Sequence, residues 1–227
     1  MIPNNEFDKY AVGHLGISSS KIHQYKSMYD RNIYSMTPYI IEERQMHVTQ
    51  LDVFSRLLMD RIIIIGSPIY SEVANIIQAQ LLFLESTEPG KDIQIYFNTG
   101  GGIVYYGLGI YDTMQYISSD IATICTGIAA SIGAVLLCSG KKGKRSALQH
   151  SRIMIHQPVG EIGGQASDIE IVNNEIESVK TDLFTILAKH TGKTFEEVEN
   201  DADRELWMTA EEAKNYGLID EVLIRQK

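Results

Sequence analysis

The chain has 227 residues, 44% of them hydrophobic, which gives room for a sizeable core in one large domain or two small ones. Its 20 basic and 29 acidic side chains leave a net charge of -9, which excludes a phosphate-backbone-binding surface over most of the chain, so nucleic acid is not an expected partner. With two cysteines, Cys125 and Cys138, neither a disulfide framework nor a four-cysteine metal site can be built, and a reducing compartment fits.

Residues 1–34 are polar and aperiodic and lack the apolar run of a secretory signal. They read as an arm or removable leader ahead of a domain spanning 35–227. Short β-branched runs at 61–66, 92–97 and 152–155, each bounded by charge, Gly or Pro, read as buried strands of one sheet. Between them, 72–84 places Val73, Ile76, Ile77, Gln80, Leu81 and Leu84 on a helical stripe, and 106–117 does the same with Leu108, Tyr111, Met114 and Ile117. The alternation predicts an α/β fold.

The stretch 121–140 is uncharged and is followed by the basic run 141–145, the outline of a membrane span. Its Ser, Thr and Gly content argues instead for an apolar strand, a break at Thr126-Gly127 and a short helix, with 141–145 as a solvated turn. Ser167, Thr194 and Thr209 each precede a Glu by three positions, the pattern of a reciprocal helix cap. The helix expected from Ser167 through His190 is long enough that part of it should project and pack on another subunit.

Cofactor motifs fail on spacing. Gly192-Lys193-Thr194 ends like a phosphate loop, but Leu187 stands where its first glycine belongs. In Asn98-Thr99-Gly100-Gly101-Gly102 the third glycine of a dinucleotide fingerprint would fall on Tyr105. The histidines have no zinc-type spacing. No nucleotide, metal or other cofactor is expected.

Gly127-Ile128-Ala129-Ala130-Ser131-Ile132-Gly133 has the outline of a nucleophile elbow, with Ala129 in place of the first glycine. A tight strand-to-helix turn presents the hydroxyl beside backbone N–H groups, although such a segment by itself reads more readily as a small-residue helix packed on a neighbour. His156, at the end of the strand 152–155 and before Gln157-Pro158, is the candidate base. His150 and His190 compete for that role, and His190 lies near a helix C-terminus, where a cation is favoured.

Ala129-Ala130-Ser131-Ile132-Gly133, Lys142-Gly143-Lys144-Arg145, Met154-Ile155-His156-Gln157-Pro158 and the run 164–170 together resemble the Clp-type serine peptidase family, from about Pro38 to Ile224. Phe54-Ser55-Arg56-Leu57-Leu58, Ile110-Tyr111-Asp112-Thr113-Met114 and Tyr216-Gly217-Leu218-Ile219-Asp220 extend the resemblance. It implies a ClpP/crotonase-like fold with a projecting handle helix, here the one from Ser167, and two stacked heptameric rings enclosing a chamber. It implies Ser131 as nucleophile, His156 as general base and the backbone N–H groups of Gly102 and Ile132 as oxyanion donors. Glu205 stands where the family's Asp-Arg-Asp motif places its orienting aspartate, with Asp203 and Asp201 as substitutes.

The resemblance also implies a cytoplasmic location, unfolded polypeptides as substrates and a separate AAA+ unfoldase of the ClpX, ClpA or ClpC type, with no membrane partner. Leu82, Tyr96 and Tyr116 match the family's ring-face dock, where Gln94 replaces a usual tyrosine. Leader removal falls near Tyr34-Ser35, and the segment after Glu42 would form an axial pore loop. Thr99-Gly100 replaces the family's Ser-Pro, which frees the backbone. With Glu205, that departure predicts reduced peptidase activity. The alternative is a catalytically weak or inactive scaffold subunit of a mixed ring, and a crotonase-type acyl-CoA enzyme is a weaker match.

Overall fold

The β-branched runs become parallel strands in the computed structural model, which describes residues 12–13, 16–22, 40–44, 47–160 and 163–224. The expected leader cleavage at Tyr34-Ser35 and the domain start at Ser35 lie outside the described residues. Ahead of the main sheet, β1 (Ile40–Arg44) and β2 (His47–Leu51) pair antiparallel, so the segment after Glu42 enters a hairpin. There follow α1 (Val53–Met59), β3 (Ile62–Ile65), α2 (Ser71–Thr87), β4 (Ile93–Thr99) and α3 (Val104–Tyr116). The second half holds β5 (Ile121–Ala130), α4 (Ile132–Cys138), β6 (Arg145–Leu148), β7 (Arg152–Ile155), α5 (Ala166–Thr191), α6 (Phe195–Asp201), β8 (Leu206–Thr209), α7 (Ala210–Tyr216) and β9 (Glu221–Leu223).

The order β3-β4-β5-β6-β9 is parallel throughout, with β7 parallel to β5 and antiparallel to β8. Apolar residues at strand positions 93, 95 and 97 alternate with more exposed ones, so Ile93, Ile95 and Phe97 face the core. Helix α2 buries Val73, Ile76, Ile77, Leu81 and Leu84 on one stripe, as the periodicity predicts.

Three local expectations need correction. Strand β5 does not end at Thr126-Gly127: it runs on to Ala130, and the helix begins only after Ser131. The break is a change of partner. Residues 123–125 pair with β6, and residues 128–130 pair with β7. Between the two sets, Gly127 lets the strand pass the Asn98 side chain, because a Cβ there would lie 2.6 Å from Asn98 Oδ1. The run 121–140 is therefore strand and short helix, and no helix among the described residues is long and apolar enough to cross a membrane.

Ser167 is not a cap. Helix α5 begins at Ala166 with Gln165 as N-cap, so Ser167 sits inside the first turn, where its hydroxyl is past the position that caps. Thr194 and Thr209, by contrast, each form the full reciprocal capping box with Glu197 and Glu212. Helix α5 buries Val179, Leu183, Phe184 and Leu187 only in its second half, and leaves Ile169, Ile171 and Val172 exposed in its first.

The basic run 141–145 is solvated only in part. Lys141 and Lys144 reach Asp120 at 3.0 and 3.1 Å, whereas the Arg145 side chain is 4% exposed. Its guanidinium forks onto Asp220, at 2.9 Å from Nε and 2.6 Å from Nη2, and Nη1 donates to the carbonyls of Cys138 and His190. A buried guanidinium survives because every face of it meets an acceptor.

Candidate active site

In a parallel sheet the strand ends converge on one side, and three of them build this site. Strand β5 delivers Ser131 into the turn before α4, at φ 57° and ψ -129°. A non-glycine residue in that region stores on the order of 1–3 kcal/mol and persists only when its surroundings hold it. The hold comes from both sides. Ser131 N–H donates to the Met154 carbonyl at 2.9 Å, and its own carbonyl accepts from Ala134 and Val135 at 3.0 and 3.3 Å.

Strand β7 lies beside the end of β5, with Ala130 opposite Met154. The residue after β7 is therefore brought level with Ser131. His156 occupies that place, half-buried, with Nε2 2.8 Å from Ser131 Oγ. With the proton on Nδ1, Nε2 accepts from the hydroxyl, the arrangement a general base needs before attack.

Strand β4 brings the glycine run alongside, Thr99 pairing with Ala129. Gly101 (φ 100°) lies so close that a Cβ on it would be 2.8 Å from Ser131 Cβ, and a Cβ on Gly102 (φ 159°) would meet the Ile69 carbonyl oxygen at 2.3 Å. Glycine is required at both positions by space and backbone angle. Ile69 N–H donates to Gly101 and Ile103 N–H donates to Ile69, both at 2.9 Å, which rivets the loop and leaves the Gly102 N–H without a partner among the described residues. The Ile132 N–H at the start of α4 likewise has no partner among the described residues. The Ile132 side chain fills the hollow over Gly107 of α3, where a Cβ would lie 2.1 Å from Ile132 Cγ1.

Glu205 precedes β8. Its Oε2 accepts from the Trp207 indole N–H at 2.9 Å, and no hydrogen bond joins it to His156 among the described residues. Asp203 is engaged by Gln157, whose Nε2 donates to its carbonyl at 2.8 Å and to its Oδ1 at 3.3 Å. Among the described residues Asp201 makes no bond to His156 either. Ser131 and His156 are thus brought together, while the carboxylate at position 205 is held elsewhere.

The competing histidines are set apart. His150 is exposed in the turn before β7. His190 is not the cation its place at the end of α5 suggests: burial, with Lys189 and Arg145 nearby, pushes its pKa down to about 4. The helix-end field is too small to offset that desolvation. Of the docking candidates, Leu82 packs half-buried against the core, Tyr96 donates its hydroxyl to Gln94 Oε1 at 3.2 Å, and Tyr116 is 85% exposed at the end of α3.

Sequence reasoning passed over Gly107 and Trp207, and took Thr99 only as part of a departure that frees the loop. Thr99 Oγ1 donates to the Ser67 carbonyl at 2.8 Å and accepts from Gly101 N–H at 3.2 Å, which steadies the glycine loop. The one available signal for Trp207 was its i+2 spacing from Glu205, which puts both on one face of a strand.

A model of the Clp protease family matches residues 43–226. Curated relatives named "ATP-dependent Clp protease proteolytic subunit" include one from Bacteroides fragilis (strain YCH46), 59% identical over 222 residues, 98% of this chain and 100% of its own. Another, from Bacteroides thetaiotaomicron, is 58% identical over 222 residues, with the same shares covered. A third, from Porphyromonas gingivalis, is 57% identical over 223 residues, 98% of this chain and 99% of its own. Identity at that level over nearly the whole length, on a fold that seats a serine and a histidine at adjoining strand ends, means that the chain belongs to the Clp protease family.

Proposed function

We infer that this chain is the proteolytic subunit of an ATP-dependent Clp-type protease, a serine endopeptidase that cuts unfolded polypeptides. The observation that carries the reading is the 2.8 Å approach of His156 Nε2 to a Ser131 hydroxyl held on a strained turn. In the acylation step Ser131 Oγ attacks a peptide carbonyl carbon as its proton passes to His156 Nε2. The carbonyl π pair moves onto oxygen, which receives hydrogen bonds from the free N–H groups of Gly102 and Ile132. Collapse expels the amine, which takes the proton from His156. Water then attacks the ester with His156 again as base, and the acid product leaves with Ser131 restored. Glu205 is the carboxylate for the imidazolium, and it serves in that role once released from Trp207.

The assembly belongs to the same proposal: two stacked heptamers joined through α5, with the exposed Ile169, Ile171 and Val172 as apolar contact material. The chain's own glycine-rich segments have no phosphate-loop spacing, so ATP is hydrolysed by a separate AAA+ unfoldase of the ClpX, ClpA or ClpC type. It docks over Leu82, Tyr96 and Tyr116. A cytoplasmic location is supported by Cys125 and Cys138 standing as free thiols. The scaffold alternative draws nothing from the relatives, whose names are those of proteolytic subunits.

The test is a fluorophosphonate probe on the native assembly followed by intact mass. The expected result is one adduct per chain at Ser131, lost in Ser131→Ala. An assembly that stays unlabelled at every pH from 6 to 9 (on the order of the window in which such a pair operates) overturns the reading.

A further inference from the structure

We propose that Trp207 is a positioning residue that competes with His156 for the Glu205 carboxylate and so restrains peptide cleavage. The inference rests on the Ser131–His156 reading above. Strands β7 and β8 run antiparallel with Met154 opposite Trp207 and Ile155 opposite Leu206. Continued by one residue, the register sets His156 against Glu205. Facing residues and i,i+2 neighbours share a face, so His156, Glu205 and Trp207 lie on the same side of this two-stranded ladder. One carboxylate therefore has two donors within reach, the imidazole Nδ1–H across the ladder and the indole Nε1–H along its own strand.

The Trp207 bond is the one made, at 2.9 Å. The main chain just ahead of Glu205 is already tied beside His156. Gln157, next to His156, donates from its backbone to the Ala202 carbonyl at 2.7 Å and from its side chain to Asp203, which ties the 202–205 segment to the end of β7. The choice is left to rotation of the Glu205 side chain. Glu205 is exposed and Trp207 is 48% exposed, so water attenuates their bond, and the indole position is favoured by no more than about the worth of one exposed hydrogen bond. While Glu205 rests on the indole, the imidazolium formed during attack has no carboxylate beside Nδ1. When it swings across, that positive charge is stabilised.

The experiment uses the full-length assembly and Trp207→Phe, which keeps an aromatic ring and removes the N–H. The expected result is a rise of about fivefold in kcat/KM on a small fluorogenic peptide, the size of one exposed hydrogen bond. The acid limb of the pH–rate profile should also move to higher pH, because a carboxylate beside the imidazole favours its protonated form. Both changes should vanish when Trp207→Phe is made on Glu205→Gln. Unchanged kcat/KM and an unmoved acid limb, with Ser131 still labelled by fluorophosphonate, overturn the latch and leave the nucleophile assignment standing. No labelling in either protein overturns that assignment, and the latch with it.

A second measurement needs no change at Trp207, which is the single tryptophan in the chain. Phosphonylating Ser131 traps a protonated His156 and should draw Glu205 off the indole. The expected shift in tryptophan emission occurs in the native protein and is absent in Glu205→Gln. Equal responses in the two proteins overturn the proposal.

Discussion

Ser131 and Met154 are joined through the main chain, the serine N–H donating to the methionine carbonyl at 2.9 Å, two residues before the His156 imidazole. That bond belongs to the β5–β7 ladder, so the positions of the Ser131 hydroxyl and the His156 imidazole are consequences of one strand pairing rather than of two independent loops. Strain at Ser131 is held in place by the same pairing, and this makes it measurable.

Ser131→Gly and Ser131→Ala both remove the hydroxyl, but only glycine adopts φ 57° and ψ -129° freely. The glycine variant should be the more stable of the two by about 1 kcal/mol, a gap of about 2–4 °C in Tm for a chain of this size. Differential scanning calorimetry of the two variants checks it, and equal Tm values count against stored strain at the turn.

Gly107 gives Ile132 its seat. Gly107→Ala should destabilise the chain by about 1–3 kcal/mol through overpacking and displace the Ile132 N–H, lowering kcat on the order of tenfold. Adding Ile132→Ala should recover part of the stability loss, a coupling that urea titration of the single and double variants reads out.

The Arg145–Asp220 fork is the most buried ion pair described. Asp220→Asn leaves the guanidinium without its counter-charge and should cost about 3–5 kcal/mol. Burial alone would raise the Asp220 pKa, but the hydrogen bonds and charge of Arg145 outweigh it and hold the carboxyl below its usual range. A group with a depressed folded pKa stabilises above its unfolded value and loses that contribution as pH falls, so the native protein's extra stability should drain away below about pH 3.9. Tm against pH should show that slope in the native protein and a flatter one in Asp220→Asn.

His190 predicts a separate acid sensitivity. Burial first, then Lys189 and Arg145, lower its pKa from 6.5 to about 4. Between those values the unfolded chain takes a proton that the folded chain refuses, so stability should fall as pH drops from 6.5 towards 4. His190→Gln should flatten the Tm profile across that window. A native profile already flat there counts against the buried neutral imidazole.

Much of this architecture could be read from local pattern. Thr194 and Thr209 cap their helices because a cap needs only residues three apart, and α2 buries its stripe because a period of 3.6 is a local property. Ser131 and His156 were legible because each sits at a strand end marked by small residues or proline. Three features were not. The switch of β5 from β6 to β7 is a choice between strands distant in sequence, which no local window contains. Ser167 carried a cap pattern, but the helix started before it. Glu205 is placed beside His156 only by the family resemblance, with Asp203 and Asp201 as substitutes. Its side-chain rotation depends on an indole whose role only the packed structure displays.

The fork in β5 divides the sheet into two hydrogen-bonded blades that share a single strand. One blade, β6 with β9, ends on the Arg145 anchor; the other, β7 with β8, holds the imidazole through three residue pairs to β5 and four between its own strands. Ile153, Ile155 and Met208 of the second blade also belong to the hydrophobic core, so a substitution there that re-aims the imidazole draws on the same packing that holds the sheet together.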